Sequence, residues 1–134
     1  MTMSMTGNTS PQPLTHNGSD IAAPAVAIAY HSGYGHTAEL ARAVAAGATE
    51  AGADVSMVNL DTMSEADWDT LDGADAIVFG SPTYMGNVSA GFQAFAEQTG
   101  RRCIEGTWRD KVAAGFTNSG ARSGDKLNAL VSLA

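Results

Sequence analysis

The sequence predicts an α/β fold, a three-layer doubly wound parallel sheet, on three observations. Short apolar runs recur at VAIAY, VSMVNL, AIVFGS and VAAGF, each closed by a loop. Runs this short, rich in Val and Ile, suit strands buried on both faces. Stretches of helical period lie between them, and strict alternation of the two implies βαβ crossovers with helices covering the sheet.

The elements follow in order. Residues 1–24 are rich in Ser, Thr, Asn, Gly and Pro and contain no Lys or Arg. They read as a disordered leader, lacking the basic start and apolar run of a secretory signal and the arginines of a transit peptide. Val26 to Tyr30 is the first strand. Thr37 to Ala51 is a helix with Leu40, Ala41, Val44, Ala48 and Ala51 on one face, ended by Gly52. Val55 to Leu60 is a second, partly alternating strand. Ser64 to Leu71 is a short helix, with Ser64 as N-cap and Trp68 and Leu71 as its inner pair. Ile77 to Phe79 is the core of a third strand. Ser89 to Thr99 turns Phe92, Phe95 and Ala96 inward and stops at Gly100. Val112 to Phe116 is a fourth strand. Asp125 opens a last helix, with Leu127, Leu130, Val131 and Ala134 on its expected inner side. Residues 25–134 thus form one domain.

Composition excludes several classes. The 134 residues carry 7 basic and 14 acidic side chains, a net charge of -7. Sequence-independent nucleic-acid binding needs the opposite balance. The single cysteine, Cys103, rules out an intramolecular disulfide framework, a Cys-rich zinc site and a Cys₄ iron–sulfur cluster. No run approaches the ~20 apolar residues of a membrane span. No metal site and no membrane or nucleic-acid partner is expected, and the location expected is cytoplasmic.

In a sheet of this kind ligands bind beyond the carboxyl ends of the strands. Three loops fall there. His31-Ser32-Gly33-Tyr34-Gly35-His36-Thr37 supplies glycines, hydroxyls and amides at a helix start, a cradle for phosphate. It lacks the lysine of an NTP-hydrolysing loop and the third spaced glycine of a dinucleotide site, so a monophosphate fits better. An ordinary glycine turn with Thr37 as N-cap uses the same residues. Ser81-Pro82-Thr83-Tyr84-Met85-Gly86-Asn87 presents a flat aromatic and thioether surface, or simply caps the core. Thr117-Asn118-Ser119-Gly120-Ala121-Arg122-Ser123-Gly124 offers small polar donors. Together they suit a phosphorylated planar heterocycle.

The segments AYHSGYGHTAELARAVAAGA, VFGSPTYMGNVSAGFQAFAEQTG and KVAAGFTNSGARSG carry a resemblance over about Ala25 to Gly124. The chain is similar to the flavodoxin-like superfamily, most of all its NAD(P)H-dependent FMN reductase and WrbA-type NAD(P)H:quinone oxidoreductase branch. The resemblance implies strand order 2-1-3-4-5 and bound FMN. It places the phosphate on Ser32, Gly33, Tyr34, Gly35, His36 and Thr37. The isoalloxazine falls on Pro82, Thr83, Tyr84, Met85, Gly86 and Asn87, and the site is completed by Asn118, Ser119, Gly120, Ala121, Arg122 and Ser123. It implies a flavin oxidoreductase taking electrons from NAD(P)H and passing them to a quinone-like acceptor. Self-association is an expectation of the resemblance alone. The chain departs from WrbA-type proteins at Tyr84, where they have Arg, and at Arg122-Ser123, where they have Gln-His. A tryptophan of their nicotinamide site falls near Cys103, with Trp108 five residues on.

The family also expects a fifth strand and a final helix, so the chain reads as C-terminally truncated. No catalytic side chain is expected, because the flavin carries the chemistry. His36 assists phosphate or is solvated, and His31 is as well explained as structural. The alternative is a flavodoxin-type electron carrier with no substrate of its own. Against it, TNSGARSG has neither the aromatics nor the acids that carriers use there. A receiver-type signalling domain would need an acid at a strand end, where Tyr30, Leu60, Phe79 and Phe116 stand.

Overall fold

A computed structural model describes residues 22–122 and 125–134. Most of the expected leader, and Ser123 and Gly124 of the third loop, lie outside the described residues. The element order is β1 (Ala25–Tyr30), α1 (His36–Glu50), β2 (Asp54–Asn59), a 3₁₀ turn (Leu60–Thr62), α2 (Glu65–Gly73), β3 (Ala76–Tyr84), β4 (Asn87–Val88), α3 (Ala90–Gln98), α4 (Gly100–Glu105), β5 (Val112–Asn118) and α5 (Leu127–Leu133). The parallel strands run β2-β1-β3-β5. That is the doubly wound order, over its first four parallel strands, that the resemblance implies.

β1 is interior, so Ala29 pairs with both Val58 and Phe79. Its side chains alternate between two cores, as a strand's period of two demands. Ala27 and Ala29 join Leu71 of α2, Phe92 and Phe95 of α3, and Ala129 and Leu133 of α5. Ile28 and Tyr30 pack with Ala41 of α1 on the opposite face. The first core is aromatic: Trp68 stacks on Phe95 with centroids 5.5 Å apart, and Phe79 meets Phe92 edge-on at 6.1 Å. Arg102 of α4 lies over Trp68 at 4.1 Å and grips Asp72 of α2 through two hydrogen bonds of 2.7 and 3.0 Å.

Caps explain the helix ends. Ser64 and Asp67 form a reciprocal capping box at α2. α1 ends in a Schellman motif. Ala53 N–H bonds Ala48 O at 3.0 Å and Gly52 N–H bonds Thr49 O at 2.9 Å, with Gly52 at φ 101°.

Four expectations need correcting. β3 does not stop at Phe79 but runs on to Tyr84, because Thr83 and Tyr84 pair antiparallel with Val88 and Asn87. The second loop is therefore a hairpin, and a fifth strand, β4, joins the four expected. Gly100 does not terminate a helix; α3 ends at Gln98 and Gly100 starts α4. Ala51 is exposed at the α1 cap. The inner face of α5 is Ala129 and Leu133, whereas Leu127, Leu130 and Val131 are exposed. A close approach accompanies that face: a β-carbon on Gly115 of β5 would lie 3.2 Å from Leu133 Cβ, so the glycine lets Leu133 seat against the strand.

Candidate functional site

The carboxyl ends of β1, β3 and β5 open into a cleft of about 500 Å³. It is lined by Tyr34, His36 and Thr37 from the first loop, Pro82, Thr83 and Tyr84 from β3, and Asn118, Ser119 and Gly120 from the third. All three sequence-predicted segments thus contribute to one cavity.

The first loop is built around the start of α1. Gly35 is the N-cap, at φ 99°, a conformation that suits glycine. Thr37 is not the cap. Ser32 supplies the capping oxygen instead, accepting the N–H of Gly35 at 3.2 Å and of Ala38 at 3.1 Å. Accepting twice leaves the Ser32 hydroxyl hydrogen free to donate. The N–H groups of His36 and Thr37 belong to the first helical turn, where no intrahelical acceptor exists, and they find none among the described residues. Ser32 O–H, His36 N–H and Thr37 N–H are therefore donors without acceptors at the positive end of a 15-residue helix. Such a set fits a phosphate. Thr37 itself is 2% exposed, and its hydroxyl is committed to Asn118 Oδ1 at 2.8 Å. What it offers an anion is its N–H.

The second segment forms the aromatic wall. Met85 (φ 52°) and Gly86 (φ 78°) make a two-residue turn with both central residues left-handed, the type I′ hairpin geometry. Met85 stands fully exposed at the tip. Tyr84 reaches back over the first loop: its ring meets Tyr34 edge-on at 6.3 Å, and a β-carbon on Gly33 would overlap its hydroxyl. Gly33 is needed for that closeness. Asn87 faces elsewhere, its Oδ1 accepting Val88 N–H at 2.8 Å and the Ser132 hydroxyl of α5 at 3.2 Å.

The third segment begins inside β5, since Thr117 and Asn118 are strand residues. Thr117 and Thr83 share a 2.6 Å hydroxyl contact at the strand ends, a pairing not anticipated from sequence. Ser119 Oγ accepts Ala121 N–H at 3.1 Å and lies 3.1 Å from Asp125 Oδ1, folding the loop on itself. Lys126 beside Asp125, with the Ser119 hydroxyl, holds that carboxyl below its ordinary range. Ala121 and Arg122 are exposed and do not line the cleft, and Ser123 lies outside the described residues.

Sequence reasoning missed the support beneath the cleft. Ser81 and Ser89, both buried, face each other across the hairpin neck, and His31 Nδ1 sits 2.7 Å from Ser89 Oγ. The one signal was the N-cap character of Ser89. Among the described residues no group of His, Cys, Asp and Glu could hold a metal ion, and no helix is long and apolar enough to cross a membrane.

The model of a flavodoxin domain family matches residues 27–128. A flavodoxin, FldP, of Pseudomonas aeruginosa is 46% identical over 107 residues, covering 78% of this chain and 55% of that protein. An NAD(P)H dehydrogenase (quinone) of Sinorhizobium fredii is 33% identical over 125 residues, covering 81% and 63%. The crystal structure of a flavodoxin, WrbA-like protein from Agrobacterium tumefaciens superposes with a TM-score of 0.74 at 46% identity, covering 83% of this chain and 69% of that one. The chain spans little more than half the length of the first of these curated relatives.

Proposed function

Because the chain belongs to the flavodoxin domain family, we propose that its cleft binds FMN and that it acts as an NAD(P)H-dependent oxidoreductase reducing quinones or similar acceptors. One observation carries the reading. Two N–H donors at the start of α1, those of His36 and Thr37, have no acceptor among the described residues and line a cleft with the rings of Tyr34 and Tyr84, and the Ser32 hydroxyl stands beside them at the same helix start. Donors for a phosphate and aromatic walls for a planar ring are what FMN requires. When bound, FMN supplies the electron-transfer chemistry between a nicotinamide and an acceptor.

The chain's own residues bind and orient. The α1 donors take the phosphate. Pro82, Thr83 and the Tyr84 ring flank the flat group, with Met85 beside it at the hairpin tip. Asn118, Ser119 and Gly120 close the opposite side and present polar atoms to a heterocycle edge. No side chain in this set is assigned a proton-transfer role. His36 is exposed at the cleft rim.

Ser32→Ala tests the reading. It removes one donor that only a phosphate would use. A hydrogen bond to a charged group is worth ~1.5–3 kcal/mol, so FMN should bind ~10–100-fold more weakly. Riboflavin, which lacks the phosphate, should change less than about threefold. Equal losses for both ligands refute the assignment. The 46% identity to a flavodoxin favours a second reading, an electron carrier without its own substrate. Steady-state NAD(P)H oxidation with a benzoquinone separates the two: sustained turnover excludes the carrier, and flavin reduction only through a partner reductase excludes the enzyme.

A further inference from the structure

Beneath the cleft a line of polar side chains crosses the carboxyl ends of three strands. Asp61 Oδ1 lies 3.3 Å from His31 Nε2. His31 Nδ1 lies 2.7 Å from Ser89 Oγ, which is 3.3 Å from Ser81 Oγ. Ser81 Oγ lies 2.9 Å from the carbonyl oxygen of Pro82, a residue that lines the cleft.

Asp, His and Ser in that order match the arrangement of a hydrolytic nucleophile. Burial excludes that use. Ser89 is 1% exposed, and its Oγ already caps α3 by accepting Phe92 N–H at 3.2 Å. No substrate reaches it.

With the His31 ring neutral, one set of donors closes the line. An ionised carboxylate only accepts, so Nε2 of His31 carries the hydrogen facing Asp61. In the neutral ring Nδ1 is then an acceptor, and the partner at 2.7 Å must donate: that is the Ser89 hydroxyl. Ser81 Oγ accepts Ser89 N–H at 3.0 Å and gives its own hydrogen to Pro82 O. Each hydroxyl donates once, and none is left over. Ser81 and Ser89 are the two sides of the hairpin neck, immediately below the pairs Thr83–Val88 and Tyr84–Asn87. α3 leaves no slack: a β-carbon on Gly91 would lie 2.6 Å from His31 Cδ2.

We propose that His31 is the positioning residue of the β3–β4 hairpin. By accepting the Ser89 hydroxyl it holds the Ser81–Ser89 neck closed, and so fixes the cleft wall formed by Pro82, Thr83 and Tyr84. Its consequence for flavin rests on the FMN reading above, but the hydrogen-bond direction does not.

Three variants and one spectrum test this. Asn at position 31 places a carboxamide oxygen where Nδ1 stands, Gln reaches only the Nε2 position, and Leu offers no acceptor. His31→Leu and His31→Gln should weaken FMN and riboflavin alike by about tenfold, since the hairpin faces the part the two share. His31→Asn should stay within about threefold of the parent. Amide hydrogen exchange of flavin-free protein should quicken at 81–89 in the Leu and Gln variants and not in the Asn variant. Nitrogen-15 NMR of the unmutated flavin-free protein should show the Nε2–H tautomer at His31. An Nδ1–H tautomer, or unchanged hairpin exchange in a folded His31→Leu protein, overturns the proposal. If the parent binds no flavin, the FMN reading fails, and the tautomer and exchange results still decide the role of His31.

Discussion

The Thr37–Asn118 hydrogen bond joins residues 81 positions apart and ties the start of α1 to the end of β5. Its two partners differ in burial, so their removal should cost unequally. Thr37 is 2% exposed, while Asn118 is half-buried at the cleft. Asn118→Ala leaves the Thr37 hydroxyl buried without its acceptor, at a cost of about 1–3 kcal/mol for a stranded polar group. Thr37→Val replaces the hydroxyl by a methyl and leaves a carboxamide that water can reach, which should cost about 0.5–1.5 kcal/mol. In the double variant neither position keeps a polar group that needs the other. Its destabilisation should therefore fall short of the sum of the singles by about 1 kcal/mol or more, within the range seen for residues in direct contact. Urea unfolding of the flavin-free protein, with slopes compared among the four proteins, reads this cycle directly. Single effects that add to within about 0.5 kcal/mol would mean the two groups act independently, and the reasoning would be wrong.

Met85 occupies a left-handed position that costs a non-glycine residue about 1–2 kcal/mol. Met85→Asn, whose side chain tolerates that region, should raise the urea midpoint of the flavin-free protein while loosening FMN; a lowered midpoint contradicts the strain. Asp72 has its carboxyl held below the ordinary 3.8, first by the Arg102 hydrogen bond and then by Trp108, with burial opposing. A depressed folded value adds stability that is present above the unfolded value and lost as pH falls through the folded one. Asp72→Asn should accordingly cost about 1–2 kcal/mol at pH 7 in thermal or urea unfolding, and the gap from the parent should close below about pH 4. Gly80 lies under the Phe116 ring, which a β-carbon there would overlap, so Gly80→Ala should destabilise by about 1–3 kcal/mol or more. An unchanged midpoint would place Phe116 elsewhere.

The parts of this molecule that were legible in the sequence are those with a local signal. The apolar runs of β1, β3 and β5, the α1 stripe and the Ser64 cap each declare themselves within a few residues, and the alternation then dictates the parallel sheet. The α5 face was misread for a physical reason. Spacing arguments favour the largest apolar side chains, Leu127, Leu130 and Val131, but the helix buries Ala129 and Leu133, and Leu133 seats against Gly115 of β5. The hairpin was hidden because β4 is two residues long and its turn is Met85-Gly86, without the Asn-Gly or Asp-Gly that marks a type I′ turn.

The candidate site divides along the same line. Each loop could be picked out by its own glycines, hydroxyls and aromatics. The joins between loops could not, because strand register creates them. β3 and β5 run in register with Ser81 opposite Thr117 and Pro82 opposite Asn118. That offset brings the Thr83 and Thr117 hydroxyls together and sets Asn118 against Thr37. A one-residue slip would turn every side chain of β5 to the other face, and Asn118 would leave the cleft. The register is supported by packing below the cleft floor, where Gly80 makes room for Phe116 and Gly115 for Leu133. The polar geometry of the cleft is therefore set by glycines that touch no ligand. Substitutions at Gly80 and Gly115 should weaken FMN and riboflavin alike as they destabilise the fold, whereas Ser32→Ala, which removes the α1 capping oxygen at a cost of about 0.5–2 kcal/mol, should still weaken FMN more than riboflavin.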